Sequence, residues 1–121
     1  MTQNKITVEK YMDGFRKGDH AQILSCLTDD VHWYMPGYFQ LEGKEAFDKE
    51  INNEAFTGLP DIQIKRYVEE DNVVVAEGSV QCYLKDGSLL DALFCDVFEM
   101  REGRIKRLTT YQINLEVRSS I

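Results

Sequence analysis

The side chains best able to do chemistry fall into one row if the strand turns are read literally. Asp71-Asn72 and Asp86-Gly87 have the composition of two-residue β-hairpin turns. With both turns of that length, Arg66 faces Glu77 and Glu77 faces Asp96 on three neighbouring strands, about 5 Å apart across each pair. Two opposed carboxylates repel, so either Arg66 neutralises them or one keeps its proton at an elevated pKa. On a water-covered face such a row is a weak ion-pair network. Inside a cavity it is an acid–base group. The flanking Ile64, Val75, Phe94 and Phe98 point to the covered alternative. A slip of one residue in either turn would send a whole strand's side chains to the other face and take the row apart.

Other candidates are fewer. His32 and Tyr34 share one parity on a short apolar run, alternating with Trp33 and Met35, and either could accept a proton. Arg101-Glu102-Gly103 suits a three-residue turn with Gly103 in the left-handed conformation. That turn sets Leu108, Thr110 and Gln112 beside Asp96, Phe94 and Ala92. Arg66, Phe94, Leu108, Thr110 and Gln112, with Trp33 and Tyr34, are then the side chains expected to line a substrate pocket. The basic group Arg101, Arg104, Lys106 and Arg107 reads as a solvated hairpin end, because no glycine-rich cradle accompanies it. Three cysteines (Cys26, Cys82, Cys95) are widely spaced and read as free thiols. No zinc spacing, phosphate loop, dinucleotide fingerprint or serine elbow is present, so neither metal nor cofactor is expected.

The elements that must hold these residues divide the chain in two. Ile6, Val8, Tyr11, Met12 and Phe15 recur at helical spacing up to Gly18. Asp19 is an N-cap for a short second helix carrying Ile23, Leu24 and Leu27, which Asp29-Asp30 closes. Val31 to Met35 reads as a strand ended by Pro36-Gly37, and Pro36 to Leu41 as a loop rich in aromatics; it either packs Phe39 and Leu41 on the third helix or, in the fold that the family resemblance below implies, stands near the pocket mouth as a lid or platform. A third helix is expected from Gly43 through Ala46, Phe47, Asn52-Asn53 and Phe56, ended by Gly58 and Pro60. From Asp61 the pattern changes. Residues 62–70, 73–84, 89–100 and 105–115 are β-branched runs separated by turns, an antiparallel meander. Helices followed by such a sheet make an α+β layout with helices covering one sheet face. Both sheet faces carry apolar residues, unlike a sheet with one solvated face. A second subunit covering part of the outer face is therefore expected.

Composition bounds the rest. The chain has 121 residues, with 14 Lys+Arg against 21 Asp+Glu, a net charge of −7. That length makes one domain, residues 1–121, with enough surface to bury a core unaided. The acidic balance speaks against nucleic acid or an anionic membrane as partner. No apolar run reaches the ~20 residues of a membrane span, and the N-terminus lacks the apolar stretch of a signal peptide, so a cytoplasmic protein is expected.

The residues also resemble a known family. Val8 to Asp30 is similar to the opening of nuclear transport factor 2-like proteins, particularly through Tyr11, Phe15, Gly18-Asp19, Ile23, Leu27 and Asp29-Asp30. Trp33-Tyr34-Met35-Pro36-Gly37, Leu41-Glu42-Gly43-Lys44-Glu45-Ala46, Phe94-Cys95-Asp96-Val97-Phe98 and Gly103-Arg104-Ile105, with Tyr111, extend the likeness over nearly the whole chain. The closest branch is that of SnoaL-like polyketide cyclases and ketosteroid isomerases. The resemblance implies a cone-shaped fold, a bent sheet wrapped about a long helix around an apolar pocket, and a homodimer joined through the sheet. It puts Tyr11 and Asp96 at the positions of the ketosteroid isomerase oxyanion hole, a tyrosine and a protonated aspartate. It puts Met35, before Pro36, where that enzyme has its general base, and a thioether cannot take a proton. Ketosteroid isomerisation by that route is therefore not implied. Arg66, Glu77 and Asp96 are similar in type to the groups of limonene epoxide hydrolases, without their Arg-x-Asp arrangement. Two functions follow. One is cofactor-free isomerase, cyclase or hydrolase chemistry on a small hydrophobic carbonyl compound, with Tyr11, Asp96, Glu77 and His32 as catalytic groups. The other is a non-catalytic ligand-binding or dimerisation module.

Overall fold

The computed structural model describes residues 2–52 and 56–115. Helix α1 (Gln3–Lys17) starts where the Thr2 hydroxyl accepts a hydrogen bond from the Lys5 amide at 3.2 Å, and it ends at Gly18 with φ +67°. Its buried stripe is Thr7, Val8, Tyr11, Met12 and Gly14. Helix α2 (His20–Ser25) is capped by Asp19, whose carboxylate accepts from the Gln22 amide at 3.0 Å. Gly14 lets α1 and α2 close together, since a Cβ there would lie 2.7 Å from the Ile23 side chain.

Strands β1 (Leu27–Met35), β2 (Phe39–Glu42), β3 (Phe56–Glu70), β4 (Val73–Leu84), β5 (Leu89–Arg101) and β6 (Arg104–Asn114) form one sheet, with helix α3 (Gly43–Ile51) between β2 and β3. The six strands lie in the order β2-β1-β6-β5-β4-β3, antiparallel except for the parallel pair β1–β6. Helix α1 packs on β3, β4 and β6, and α3 packs on β1 and β2, so the helices share one face of the sheet. Hydrogen bonds pin α1 there: Arg16 Nε donates to the Ile62 carbonyl at 3.0 Å, the Thr7 hydroxyl to the Gly103 carbonyl at 2.7 Å, and Asn4 Nδ2 to Glu69 Oε2 at 3.3 Å and Asn72 Oδ1 at 3.2 Å. The inner face presents Ile62 and Tyr67, then Val74 and Ala76, then Phe94, Phe98 and Met100, and finally Ile105 and Leu108 to the buried core. This is the expected α+β layout.

Three local expectations are corrected. The aromatic stretch after Pro36 is not a free loop: Phe39–Glu42 is strand β2, with Met35 paired to Phe39 and Trp33 to Leu41. Helix α2 stops at Ser25, and Asp29-Asp30 lie inside β1. The third helix ends at Ile51, Asn53 lies outside the described residues, and Phe56 and Pro60 belong to β3.

The turns decide the register. Asp71-Asn72 is the expected two-residue turn, with φ of +48° and +62°, and Arg66 does pair with Glu77. Between β4 and β5, however, the connection has three residues. The Gly87 amide donates to the Leu84 carbonyl and the Leu84 amide to the Ser88 carbonyl, both at 2.9 Å, with Gly87 at φ +87°. Glu77 therefore pairs with Cys95, and Asp96 pairs with Ala76. Between β5 and β6 the turn is not the expected three-residue one but the two-residue Glu102-Gly103, at φ +51° and +77°, and Leu108 stands opposite Phe98, not Asp96. With an irregularity between Glu99 and Met100, Thr110 stands opposite Asp96, and Gln112 opposite Phe94. Strand β3 also shifts register between Ile64 and Arg66. Beside that shift a Cβ on Gly78 would meet the Gln63 carbonyl oxygen at 2.2 Å, so only glycine fits.

Candidate functional site

Helical spacing brings Tyr11 to the middle of the inner face, one turn before Phe15. The Tyr11 ring stands edge-on to Phe15 at 5.0 Å, to Phe98 of β5 at 5.4 Å and to Phe47 of α3 at 6.2 Å between centroids. Trp33 of β1 stacks on Phe47 at 4.5 Å and meets Phe39 edge-on at 5.1 Å. These rings wall the region between α1, α3 and the sheet with apolar surface.

Asp96 is the carboxyl group set into that wall. Strand β5 aims it inward between Ala76 and Thr110, where it is 7% exposed and its Oδ1 has no hydrogen-bond partner among the described residues. Burial pushes its pKa up to about 7, against a hydrogen bond from the Thr110 hydroxyl that pulls the other way. No charged neighbour contributes to the displacement, so desolvation alone holds the proton. Tyr11 is held well above its ordinary pKa, first by burial, then by the Asp96 charge and then by Cys26. Both groups therefore offer a proton at neutral pH. Near its midpoint Asp96 also exists as carboxylate, so it can act as acid or base.

Strand pairing fixes the supporting groups. Parallel pairing with β6 sets Trp33 beside Leu108, and the indole reaches two residues further along to Thr110, Nε1 to Oγ1 at 3.0 Å. Tyr11, Trp33, Phe94, Asp96, Leu108, Thr110 and Gln112 thus share the inner side. Leu108 is fully buried, a core contact beneath the site more than a lining residue.

Four expected site residues lie elsewhere. Glu77 is on the outer face, where Arg66 Nε meets its Oε1 at 2.8 Å with both side chains about half exposed. The three-residue turn after β4 is the reason, and the expected Arg66–Glu77–Asp96 row does not form. His32 is exposed on β1, 3.7 Å from Glu42, and alternates with Val31 and Trp33, so it does not share the inner face with Asp96. Tyr34 pairs with Thr109 and alternates with Trp33, which puts it on the outer face as well. Conversely, Phe15 and Phe47 were not expected at the site, and Phe39, expected in a loop, comes to it on strand β2. The spacing of Tyr11 to Phe15 was the available signal for Phe15.

The outer face holds a shallow concavity of about 690 Å³, lined by Val75, Leu93, Cys95, Tyr111 and Ile113 around the Arg66–Glu77 pair. Among the described residues no three His, Cys, Asp or Glu side chains are grouped to hold a metal ion, and no helix is long and apolar enough to cross a membrane.

Helices on one face of a six-stranded, mostly antiparallel sheet with this topology are the nuclear transport factor 2-like fold. Residues 8–108 match the SnoaL-like domain family, and the chain belongs to that family. Among solved structures it is similar to an LEH-like epoxide hydrolase of M. tuberculosis, with TM-score 0.81 at 18% identity, over 92% of this chain and 83% of the other. It is similar also to a nuclear transport factor 2-like protein of unknown function from Burkholderia pseudomallei K96243, with TM-score 0.84 at 19% identity, over 91% and 90%. A putative ketosteroid isomerase from Kribbella flavida matches with TM-score 0.75 at 17% identity, over 98% and 83%. No curated protein matches the chain. At these identities the likeness establishes the fold, and proteins sharing it include hydrolases, isomerases and proteins without an assigned activity.

Proposed function

We propose that the protein is a cofactor-free acid–base catalyst, an isomerase, cyclase or hydrolase, acting on a small, mostly apolar compound that carries a carbonyl oxygen. The observation that carries this reading is Asp96: a carboxyl group buried by aromatic and aliphatic neighbours, with an unpartnered Oδ1. A group of that kind is costly to fold and is retained where it does work. In its acid form Asp96 donates its proton to the ligand oxygen, with the Tyr11 hydroxyl as a second donor. In its carboxylate form it accepts a proton from an adjacent C–H bond or a water. Epoxide opening of the kind that needs two acids around an arginine is not supported, because Arg66 and Glu77 are on the other face. The test is a turnover screen of enones, aryl ketones and small lactones. Any compound converted should be converted at least ~100-fold more slowly by Asp96→Asn. Equal rates would overturn the reading.

A second reading, a ligand-binding module without catalysis, is favoured by Met35. It occupies the position where the ketosteroid isomerase resemblance puts the general base, and it is 8% exposed, a buried thioether. Saturable binding of an aryl ketone, with no compound converted, would support it.

We also propose that a second copy of the chain covers the outer face. Val68, Leu93, Tyr111 and Ile113 are exposed there together, at 52%, 47%, 54% and 67%. The adjoining Arg66 and Glu77 make the patch self-complementary under a two-fold axis. Sedimentation should show a dimer at micromolar concentration that Leu93→Asp converts to monomer. A parent protein that sediments as monomer would rule the interface out.

A further inference from the structure

We propose that Gln112 determines specificity, and that the site takes a compound with a hydroxyl group about 7 Å from its carbonyl oxygen, across a flat apolar body. The carbonyl meets Asp96, and the hydroxyl donates to Gln112 Oε1. The inference names the substrate class of the Asp96 site and rests on the reading of Asp96 as its acid–base group.

Burial gives the direction in which the site opens. Along the inner side of β6, Leu108 and Thr110 are buried, Gln112 is half-buried and Asn114 is exposed. Helix α1 has the same gradient, from buried Tyr11 to half-buried Phe15. Asp96, opposite Thr110, therefore lies at the closed end, and a ligand that reaches it extends back past Phe94 and Gln112. Antiparallel strands rise about 3.4 Å per residue, so the two residues from the Asp96–Thr110 pair to the Phe94–Gln112 pair span about 7 Å. Phe94 borders that span from β5. The half-buried rings of Phe15 and Trp33, edge-on at 6.3 Å between centroids, border it from α1 and β1. Such walls suit a flat ring, with polar groups met only at its two ends.

At the outer end the Gln112 amide is held in place. Its Nε2 donates to Asn114 Oδ1 at 2.9 Å, and Asn114 Nδ2 donates to the Tyr38 hydroxyl oxygen at 3.1 Å. These two bonds tie the end of β6 to the turn between β1 and β2, where the Tyr38 amide donates to the Met35 carbonyl at 2.9 Å. Among the described residues no group donates to Gln112 Oε1. With its nitrogen turned to Asn114, the side chain presents an acceptor, and an acceptor selects a ligand hydroxyl over an ether or a bare C–H.

The test is a titration of ¹⁵N-labelled protein with acetophenone, 4-hydroxyacetophenone and 4-methoxyacetophenone. The indole N–H signal of Trp33, the chain's single tryptophan, reports binding. In the 4-hydroxy compound the carbonyl and the hydroxyl stand at opposite ends of one ring. It should bind about 3- to 10-fold tighter than acetophenone, the gain of one neutral hydrogen bond, and the 4-methoxy compound should show no such gain. Gln112→Leu should bring 4-hydroxyacetophenone to within about twofold of acetophenone. A parent protein that binds none of the three, or binds them equally, would overturn the proposal. So would a methoxy compound that gains as much as the hydroxy compound, or a Gln112→Leu variant that keeps the parental ratio. Should Gln112→Leu fail to fold, the hydroxy and methoxy compounds compared in the parent decide. The titration of Asp96 in ligand-free protein tests the acid–base reading separately, so failure of one is not mistaken for failure of the other.

Discussion

Glu77 and Asp96 occupy opposite faces of the sheet: Glu77 pairs with Cys95 and reaches Arg66, while Asp96 pairs with Ala76 and turns inward. One residue of turn length separates this arrangement from a shared acidic row. Among the described residues it leaves a single carboxyl group in the candidate site and an ordinary exposed ion pair outside it.

The two acids should therefore respond differently to the same substitution. Glu77→Gln should change turnover of any converted compound by less than about twofold, while Asp96→Asn lowers it at least ~100-fold. For stability, a double-mutant cycle on Arg66 and Glu77 should return about 0.2–1 kcal/mol, as exposed pairs do. A large loss of turnover in Glu77→Gln would mean the acids act together after all.

Asp96 should also make the protein less stable as the solution becomes more alkaline. In the folded chain it keeps its proton up to about pH 7, against an ordinary 3.8. Between those values the unfolded chain binds fewer protons than the folded one, so stability falls as pH rises through that window and levels off above it. The displacement corresponds to roughly 4 kcal/mol, an upper bound because water reaching a buried carboxylate offsets part of its desolvation. Urea denaturation should show Asp96→Asn more stable than the parent at about pH 8 and not at about pH 4. A variant less stable than the parent at both would contradict the assignment of desolvation as the cause.

Gly78 should tolerate no side chain. The Cβ of Gly78→Ala would lie 2.2 Å from the Gln63 carbonyl oxygen, a backbone atom that cannot swing aside. Forcing β3 away should cost about 1–3 kcal/mol by urea denaturation. An alanine variant of parental stability would show that the β3 irregularity between Ile64 and Arg66 is adjustable.

Much of this was legible in the residues themselves. Val8, Tyr11, Met12 and Phe15 gave α1 and its inner face, and Asp71-Asn72 gave the β3–β4 register, because each signal is local and has one good solution. Asp86-Gly87 was ambiguous. The same dipeptide can be the centre of a two-residue turn or the tail of a three-residue turn with glycine left-handed. Here Asp86 accepts from the Ser88 amide at 2.8 Å, which settles the longer form only once the chain has folded. The error flips one strand, moving Glu77 out and leaving Asp96 in. Strand β2 was hidden for another reason. Its four residues do alternate, Phe39 and Leu41 against Gln40 and Glu42, but a run that short is a strand only through its pairing with β1. Trp33's bond to Thr110 could not be read at all, since it depends on the parallel alignment of β1 with β6, strands about 75 residues apart in the chain.

The most direct test of Asp96 as the acid–base group is its own titration, followed by the ¹³C shift of its carboxyl carbon and assigned by its disappearance in Asp96→Asn. The midpoint expected is about 7. A midpoint close to the ordinary 3.8 would show a solvated carboxylate and would remove the basis for acid–base chemistry at this site.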